Sequence, residues 1–440
     1  MTTWRQHLAR RAYSLLLRLL SPVYVLRLWW RGRAEPMYRH AMAERLGAYD
    51  GERSSGWVWV HAVSLGETLA AAALVDALRM LRPGMRLLLT HSTATGREAG
   101  LALLRDGDRQ AWFPYDATGV VERFFQQFQP AVGVLMETEV WPNLLRAAHA
   151  NRVPMVLANA RLSEKSHAQG QRLDAVMRPA AHSLALVLAQ SEADAQRLRD
   201  AGAPLVVVSG NLKYDLSPDP QLLKRGAAWR RLLDRPLVLA AITREGEEAM
   251  LLQAWVKLPP PLASPSRRQP LLLIVPRHPQ RFDEVAALVR AAGLTLARRS
   301  SWGDTPSAEA CAAEVWLGDS MREMALYYAA AQVALLGGSF APLGGHNLIE
   351  AAACGCPLVM GPSSFNFSEA AHLSLAAGAS ARVADMAHGV ALALDWLADP
   401  QALALRASDA VNFATQHRGA AQRMAQRIVE LLPPLPAATG

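Results

Sequence analysis

The sequence predicts an α/β protein with two domains, each built on a parallel β-sheet, behind a basic N-terminal helix. Three observations carry this. The 440 residues, 51% hydrophobic and 19% charged, suffice for two domains with a core each. Short apolar runs alternate with helical stretches in two successive series, the pattern of βαβ units. The first 47 residues hold nine arginines against only Glu35 and Glu44, around an apolar segment.

That segment comes first in the chain. Ala12–Leu17 and Leu19–Leu26 are apolar and lead to Trp29-Trp30, but Arg18, Pro22 and Arg27 interrupt them. A spanning helix needs about 20 mostly apolar residues, and no small-residue cleavage site follows. An arginine-fringed helix with tryptophans at one end fits an anchor lying on an anionic leaflet. An ordinary helix packed on the domain and a single span with snorkelling arginines stay open. The expected division is an anchoring segment 1–34, a first domain 35–212 and a second 213–440 whose last helix crosses back.

Strands are expected at Trp57–His61, Arg86–Thr90, Ala131–Met136, Val153–Ala158, Leu184–Leu188 and Leu205–Ser209. The stretch Gly210–Asp215 with Ser217–Pro220 reads as the crossing between domains. The second series has strands at Pro236–Ala241, Leu271–Pro276, near Glu314–Leu317, Val333–Leu336 and Pro357–Met360. Residues 259–270 are rich in proline and serine and read as a surface loop.

In parallel sheets ligands bind beyond the carboxyl ends of strands. His61, Glu67, Glu137, Glu139 and Asn159 all lie at or just past such ends. Glu67 stands where a helix begins, so it reads either as a general base for a hydroxyl or as a helix-capping residue. Lys213 is one of only four lysines, and a compact ammonium there can face a phosphate or a carboxylate. Arg277-His278 reads as an anion clamp, whereas Arg281 reads as a surface charge. The turn Gly337–Gly345 between a strand and a helix, with Asn347 as N-cap and Glu350 three residues on, reads as a phosphate cradle. It is neither a Walker loop nor a dinucleotide fingerprint.

Net charge of +8 and a pI near 9.7 favour an acidic partner. There is no nucleic-acid module and no dense basic-aromatic patch, so an anionic membrane or substrate fits better. Cys311, Cys354 and Cys356 form an odd set without zinc spacing, which reads as a reducing, cytoplasmic compartment.

One ordered set of motifs runs through the chain: Trp59–Glu67, Met136–Asn143, Ala158–Ser163, Gly210–Asp215, Pro276–Pro279, Gly337 through Glu350, and Phe365–Phe367. Together they resemble the Kdo transferases of lipopolysaccharide synthesis, which move 3-deoxy-D-manno-octulosonic acid (Kdo) from CMP-Kdo to a lipid A precursor. The resemblance covers about Leu26 to the C-terminal helix. It implies two Rossmann-like domains facing across a cleft (GT-B type), inversion, no cofactor and no metal. It implies Glu67 as proton acceptor, with Glu137 and Lys213 stabilising the transition state. It implies CMP contacts at Pro276, Arg277, Met321, Arg322, Glu323, Asn347, Leu348, Ile349 and Glu350. It also implies a place on the cytoplasmic face of the bacterial inner membrane. Arg322 stands where the family usually has glycine, and Leu348 where it usually has proline. Two rival readings remain: another lipid-directed nucleotide-sugar transferase of the same fold, separable by donor exchange, and a non-catalytic lipid-binding protein, separable by turnover.

Overall fold

Apolar residues that alternate between two buried faces build the first sheet. The computed structural model describes residues 4–215, 217–258 and 269–434. The strands are β1 (Val58–His61), β2 (Leu87–His91), β3 (Arg109–Trp112), β4 (Val132–Met136), β5 (Met155–Ala160), β6 (Leu186–Ala189) and β7 (Val206–Val208). They lie parallel in the order β3-β2-β1-β4-β5-β6-β7. Trp59, Leu88, Leu135 and Leu157 enter one apolar cluster; Val60, Leu89, Val134 and Val156 enter another. Successive side chains in a strand point to opposite faces, so both faces are covered and the strands read as unbroken apolar runs.

The second sheet repeats the plan. It holds β8 (Leu237–Thr243), β9 (Leu271–Pro276), β10 (Leu296–Arg298), β11 (Val315–Leu317), β12 (Val333–Leu336), β13 (Leu358–Met360) and β14 (Ser380–Arg382). Their order is β10-β11-β9-β8-β12-β13-β14, again all parallel. Each sheet therefore reverses its winding once, between β1 and β4 and between β8 and β12. Such switch points open a crevice at the carboxyl ends of the strands.

The chain divides into two compact units. One runs up to Asp215 and takes back the segment from Arg418 onward; the other is the stretch between them. The division at 212/213 read from sequence is thus displaced. The 3₁₀ turn Leu212–Asp215 stays with the first unit. Asp215 accepts hydrogen bonds from the amides of Gly419 and Ala421, at the start of the helix Ala420–Val429. Met424 and Ile428 of that helix are buried in the first unit's core beside Leu74 and Leu78.

The N-terminal segment is likewise part of the first unit rather than a separate piece. Helix α1 (Trp4–Arg31) continues through Pro22. Its inner face is largely polar. Tyr13 donates to Asp116 at 2.9 Å, Ser14 donates to Asn143 at 2.9 Å, and the Leu17 carbonyl accepts from Tyr115. Tyr24 stacks on Tyr115, and Arg45 donates to the Tyr24 hydroxyl. Its outer face carries Leu8, Leu15, Leu16, Leu19, Val23 and Leu26, each more than half exposed. No helix of the described residues is long and apolar enough to cross a membrane.

Strands β3, β10 and β14 are absent from the sequence reading. Each sits at a sheet edge and ends or begins on arginine, which is how sheets protect an edge and how an apolar signal is lost. The proline-rich loop expected at 259–270 falls mostly outside the described residues, of which only 269 and 270 belong to it.

Candidate functional site

In the first unit, the carboxyl ends of β1, β4 and β5 gather a cluster of ionisable groups. Helix α2 (Leu65–Leu81) begins just past β1 with Ser64 as N-cap. Glu67 lies on its first turn. One carboxylate oxygen accepts from the Val63 amide at 2.8 Å and the other from the Ser64 hydroxyl at 3.1 Å. Ser64 in turn accepts from the Glu67 amide. Glu67 is therefore fixed by cap-like bonds, yet these do not hold it as an ordinary carboxylate. Burial pushes its pKa up to about 7, helped by the negative charges of Glu137 and Glu139 and opposed by the Val63 and Ser64 bonds. A half-buried carboxylate poised near neutrality is matched to general-base work.

Glu137 follows β4 with φ of 59°, and Asn159 lies in β5 with φ of 52°. The strand ends that carry them are adjacent, since the Glu137 amide donates to the carbonyl of Ala158, the residue before Asn159, at 2.9 Å. Left-handed backbone at a non-glycine residue costs on the order of 1 kcal/mol or more and tends to collect at functional sites. Here it turns the chain out of β4 sharply enough to leave Glu137 within electrostatic range of Glu67 and Lys213.

Lys213 is delivered by a relay that sequence reading did not foresee. The Asn159 side-chain oxygen accepts from the Leu212 amide, and the Asn159 carbonyl accepts from Gln190. Gln190 accepts from Asn211, whose own oxygen accepts from the Lys213 amide. Burial lowers the Lys213 pKa, with Arg161 acting the same way and Glu137 and Glu67 restoring part of it. Gln190 carried no sequence signal, because nothing marks a glutamine after a strand as anything but a loop residue.

Glu139 accepts from the Trp141 indole at 2.6 Å and lies 3.9 Å from His61. Burial raises its pKa despite the indole bond. His61 is wholly buried, stacked on Phe113, and bonded through Nδ1 to Thr90; burial holds it neutral with its pKa well below the usual range.

In the second unit, basic groups gather around the ends of β8, β9 and β12. Pro276 closes β9, and Arg277 follows it, exposed, with its amide bonded to the Thr243 carbonyl. His346 is pushed down to about 4 by burial and by the positive charges of Arg277, Arg244 and His278. The His346 Nε2 is buried without a hydrogen-bond partner. Three cationic or protonatable side chains facing one neutral imidazole make a setting for an anion.

The glycine-rich turn is a different object from the cradle expected. The buried Glu247 carboxylate accepts from the amides of Arg244, Gly338, Phe340 and Ala341. The protein's own carboxylate occupies the donors that a phosphate would use. Glycine is required at Gly337 all the same, since a Cβ there would lie 2.3 Å from the Ile242 carbonyl. The helix after the turn is only Ile349–Ala353, preceded by Leu348. Asn347 does bond its side-chain oxygen to the Ile349 amide at 3.1 Å, but no reciprocal Glu350 bond to Asn347 closes a capping box among the described residues. Leu348 and Ile349 are core residues, and Glu350 is half-buried with its pKa raised by burial.

The remaining expected donor contacts divide. Met321 is exposed and Arg322 takes φ of 64°. Glu323 is engaged by Arg299 through two bonds of 2.9 Å and approached by Arg225. Arg281, expected on the surface, is buried: it forks onto Glu248 and pairs with Glu284. An open cavity of about 740 Å³, lined by Phe340, Phe365, His372 and Arg382 among others, lies past the ends of β12, β13 and β14.

Residues 40–216 match the family model described as 3-deoxy-D-manno-octulosonic-acid transferase. The chain is 45% identical to the 3-deoxy-D-manno-octulosonic acid transferase of Bordetella pertussis, over 94% of this chain and 98% of that one. It is 32% identical to the Haemophilus influenzae protein of the same name, over 94% and 96%. In structure it is similar to Anabaena HepE in complex with UDP, at TM-score 0.58 and 16% identity over 86% of this chain and 100% of that one. A glycosyltransferase from Rickettsia africae gives TM-score 0.58 at 12% identity over 87% and 99%. The two-sheet α/β architecture of GT-B glycosyltransferases is thus the fold of this chain.

Proposed function

The chain belongs to the 3-deoxy-D-manno-octulosonic-acid transferase family, and from that premise we propose that it moves Kdo from CMP-Kdo onto a hydroxyl of a lipid A precursor, inverting the anomeric centre, with Glu67 as general base. The observation that carries this reading is the Glu67 carboxyl, fixed by two hydrogen bonds and raised to about 7.

In the proposed reaction Glu67 takes the acceptor proton while the acceptor oxygen bonds to the anomeric carbon. The bond from that carbon to the phosphate oxygen breaks, and CMP leaves with the electron pair. One base and a single displacement give inversion. Lys213 would face negative charge as it develops, and Glu137 would face the cationic character of the sugar. Arg277 and Arg244 of the second unit would hold the CMP phosphate. The reading calls for no cofactor or metal. It also sets α1 on the cytoplasmic face of the inner membrane, supported by the leucines on its outer face and the arginines beside them.

The test is mass spectrometry of the lipid formed from CMP-Kdo and a tetraacyl lipid A precursor, with initial rates for wild type and Glu67→Gln. General-base catalysis is typically worth about 10²–10⁴-fold, so Gln should lose that much while binding CMP normally. Turnover near wild type would remove Glu67 as the base. Product from a UDP-sugar in place of CMP-Kdo would overturn the donor.

A further inference from the structure

On the first unit, four arginines converge on one shallow basin. Arg10, Arg11 and Arg18 of α1 and Arg146 of the helix Pro142–Ala150 line a cavity of about 350 Å³ together with Ser14, Leu15 and Thr118. Among the described residues, no carboxylate pairs with Arg10, Arg11 or Arg18. Arg146 donates to Glu122 at 3.1 Å, and its Nε is buried without a partner. The buried Asp116 carboxylate accepts from Tyr13 and from the amides of Asn143 and Leu144. The crowding is visible in Arg10: burial, then Arg146, then Arg11 all disfavour its charged form. Holding four like charges together with one carboxylate paired to them, Glu122 on Arg146, is costly.

The basin opens onto the outer face of α1. Leu15 lines it, and Leu8, Leu19 and Leu26 continue the same helical face at spacings of four and seven residues, all exposed. Charge at one level and an apolar stripe running from it fit a molecule with the same two parts. We infer that Arg10, Arg11, Arg18 and Arg146 form a binding site for the phosphomonoester headgroup of a membrane-resident lipid, whose chains lie along the leucine face of α1. Guanidinium forks pair bidentately with phosphate, and a phosphomonoester offers more oxygens and charge than the diester of an ordinary phospholipid. The site rests on the reading that α1 meets a lipid surface, and is separate from the chemistry at Glu67.

The test is flotation of the full chain with phosphatidylcholine vesicles containing either phosphatidic acid, a phosphomonoester, or phosphatidylglycerol, a diester, matched for surface charge. Wild type should prefer phosphatidic acid. Alanine at Arg11 or Arg18 should weaken that binding about fivefold per arginine removed. The decisive variant combines Arg11→Lys, Arg18→Lys and Arg146→Lys. It keeps every charge, so it should bind both vesicles, but it should lose the preference because lysine lacks the fork. Equal wild-type binding to both vesicles, or a preference that survives in the lysine variant, would overturn the site and leave a merely basic surface. Displacement from phosphatidic acid by inorganic phosphate, at no higher concentration than the lipid, would show a free-phosphate site and overturn the lipid assignment. Wild type that binds no vesicle would overturn the lipid-surface reading itself.

Discussion

Glu67 serves two functions that would conflict at an exposed position. From the first turn of α2 it accepts from Val63 and Ser64 just ahead of the helix, as a capping residue does, and it is kept near neutrality by burial beside Glu137 and Glu139. Its folded pKa lies above its unfolded one. The folded state therefore holds the proton longer, and stability from this group falls as pH rises from the ordinary carboxyl value to about 7. Glu67→Gln lacks that titration, so thermal melts should show the variant gaining on wild type across this window. Wild-type kcat/KM should rise with pH through the same range, because the proposed base must be ionised. A flat difference in melting temperature would break the link between the two. Arg277→Ala should weaken CMP binding by about 1.5–3 kcal/mol through loss of a charged hydrogen bond, read by calorimetry, with Arg277→Lys recovering only part. Arg322, where the resemblance implies glycine, adopts a glycine-like conformation, at φ of 64°. Left-handed backbone costs an L-residue about 1–2 kcal/mol, offset in part by the entropy that glycine adds to the unfolded chain. Arg322→Gly should therefore be neutral or stabilising by up to ~1 kcal/mol in denaturant titration, and a clear destabilisation would mean that the arginine side chain makes a stabilising contact.

Helix α1 inverts the usual amphipathic arrangement, with hydroxyls and tyrosines inward and leucines outward. The arrangement is physically sensible only because the inward polar groups have partners. Asp116 is the key one: burial raises its pKa to about 6, against the pull of the Asn143 and Leu144 amides and Tyr13. Removing residues 1–34 would strip Asp116 of Tyr13 and uncover Tyr115. We expect the truncated chain to melt below wild type, and Tyr13→Phe alone to cost about 1.5–3 kcal/mol at neutral pH, as for a hydrogen bond to a charged group. A truncation that melts like wild type would return α1 to the status of a detachable anchor.

At the scale of the molecule, the chain leaves the first unit at Asp215 and re-enters it at Arg418. The first unit is thus discontinuous and the second is one continuous stretch. A fragment spanning residues 216–417 carries a complete sheet and its own apolar cluster, together with Arg244, Arg277 and His346. It should fold when expressed alone and bind CMP, while a chain ending at 417 should lose the first unit's cooperative melt, because Met424 and Ile428 are core residues there. A folded fragment that ignores CMP would move the nucleotide site out of the second unit.

The sequence by itself determined the α/β class, most strands of both sheets, and the positions of Glu67, Glu137 and Arg277 at strand ends. Central parallel strands are covered on both faces, so their apolar runs are long enough to read locally. Edge strands β3, β10 and β14 were not legible, because each carries arginine in place of an unbroken apolar run, whereas the edge strand β7, three valines, was. What only the tertiary structure decided is who neutralises whom. Glu247 fills the amide cradle of Gly338–Ala341, Glu248 draws Arg281 inside, Arg299 engages Glu323, and Gln190 and Asn211 set Lys213 beside Glu137. Each pairing joins residues from separate elements and depends on burial. A carboxylate's charge state and partner belong to the folded environment, and no spacing along the chain encodes them.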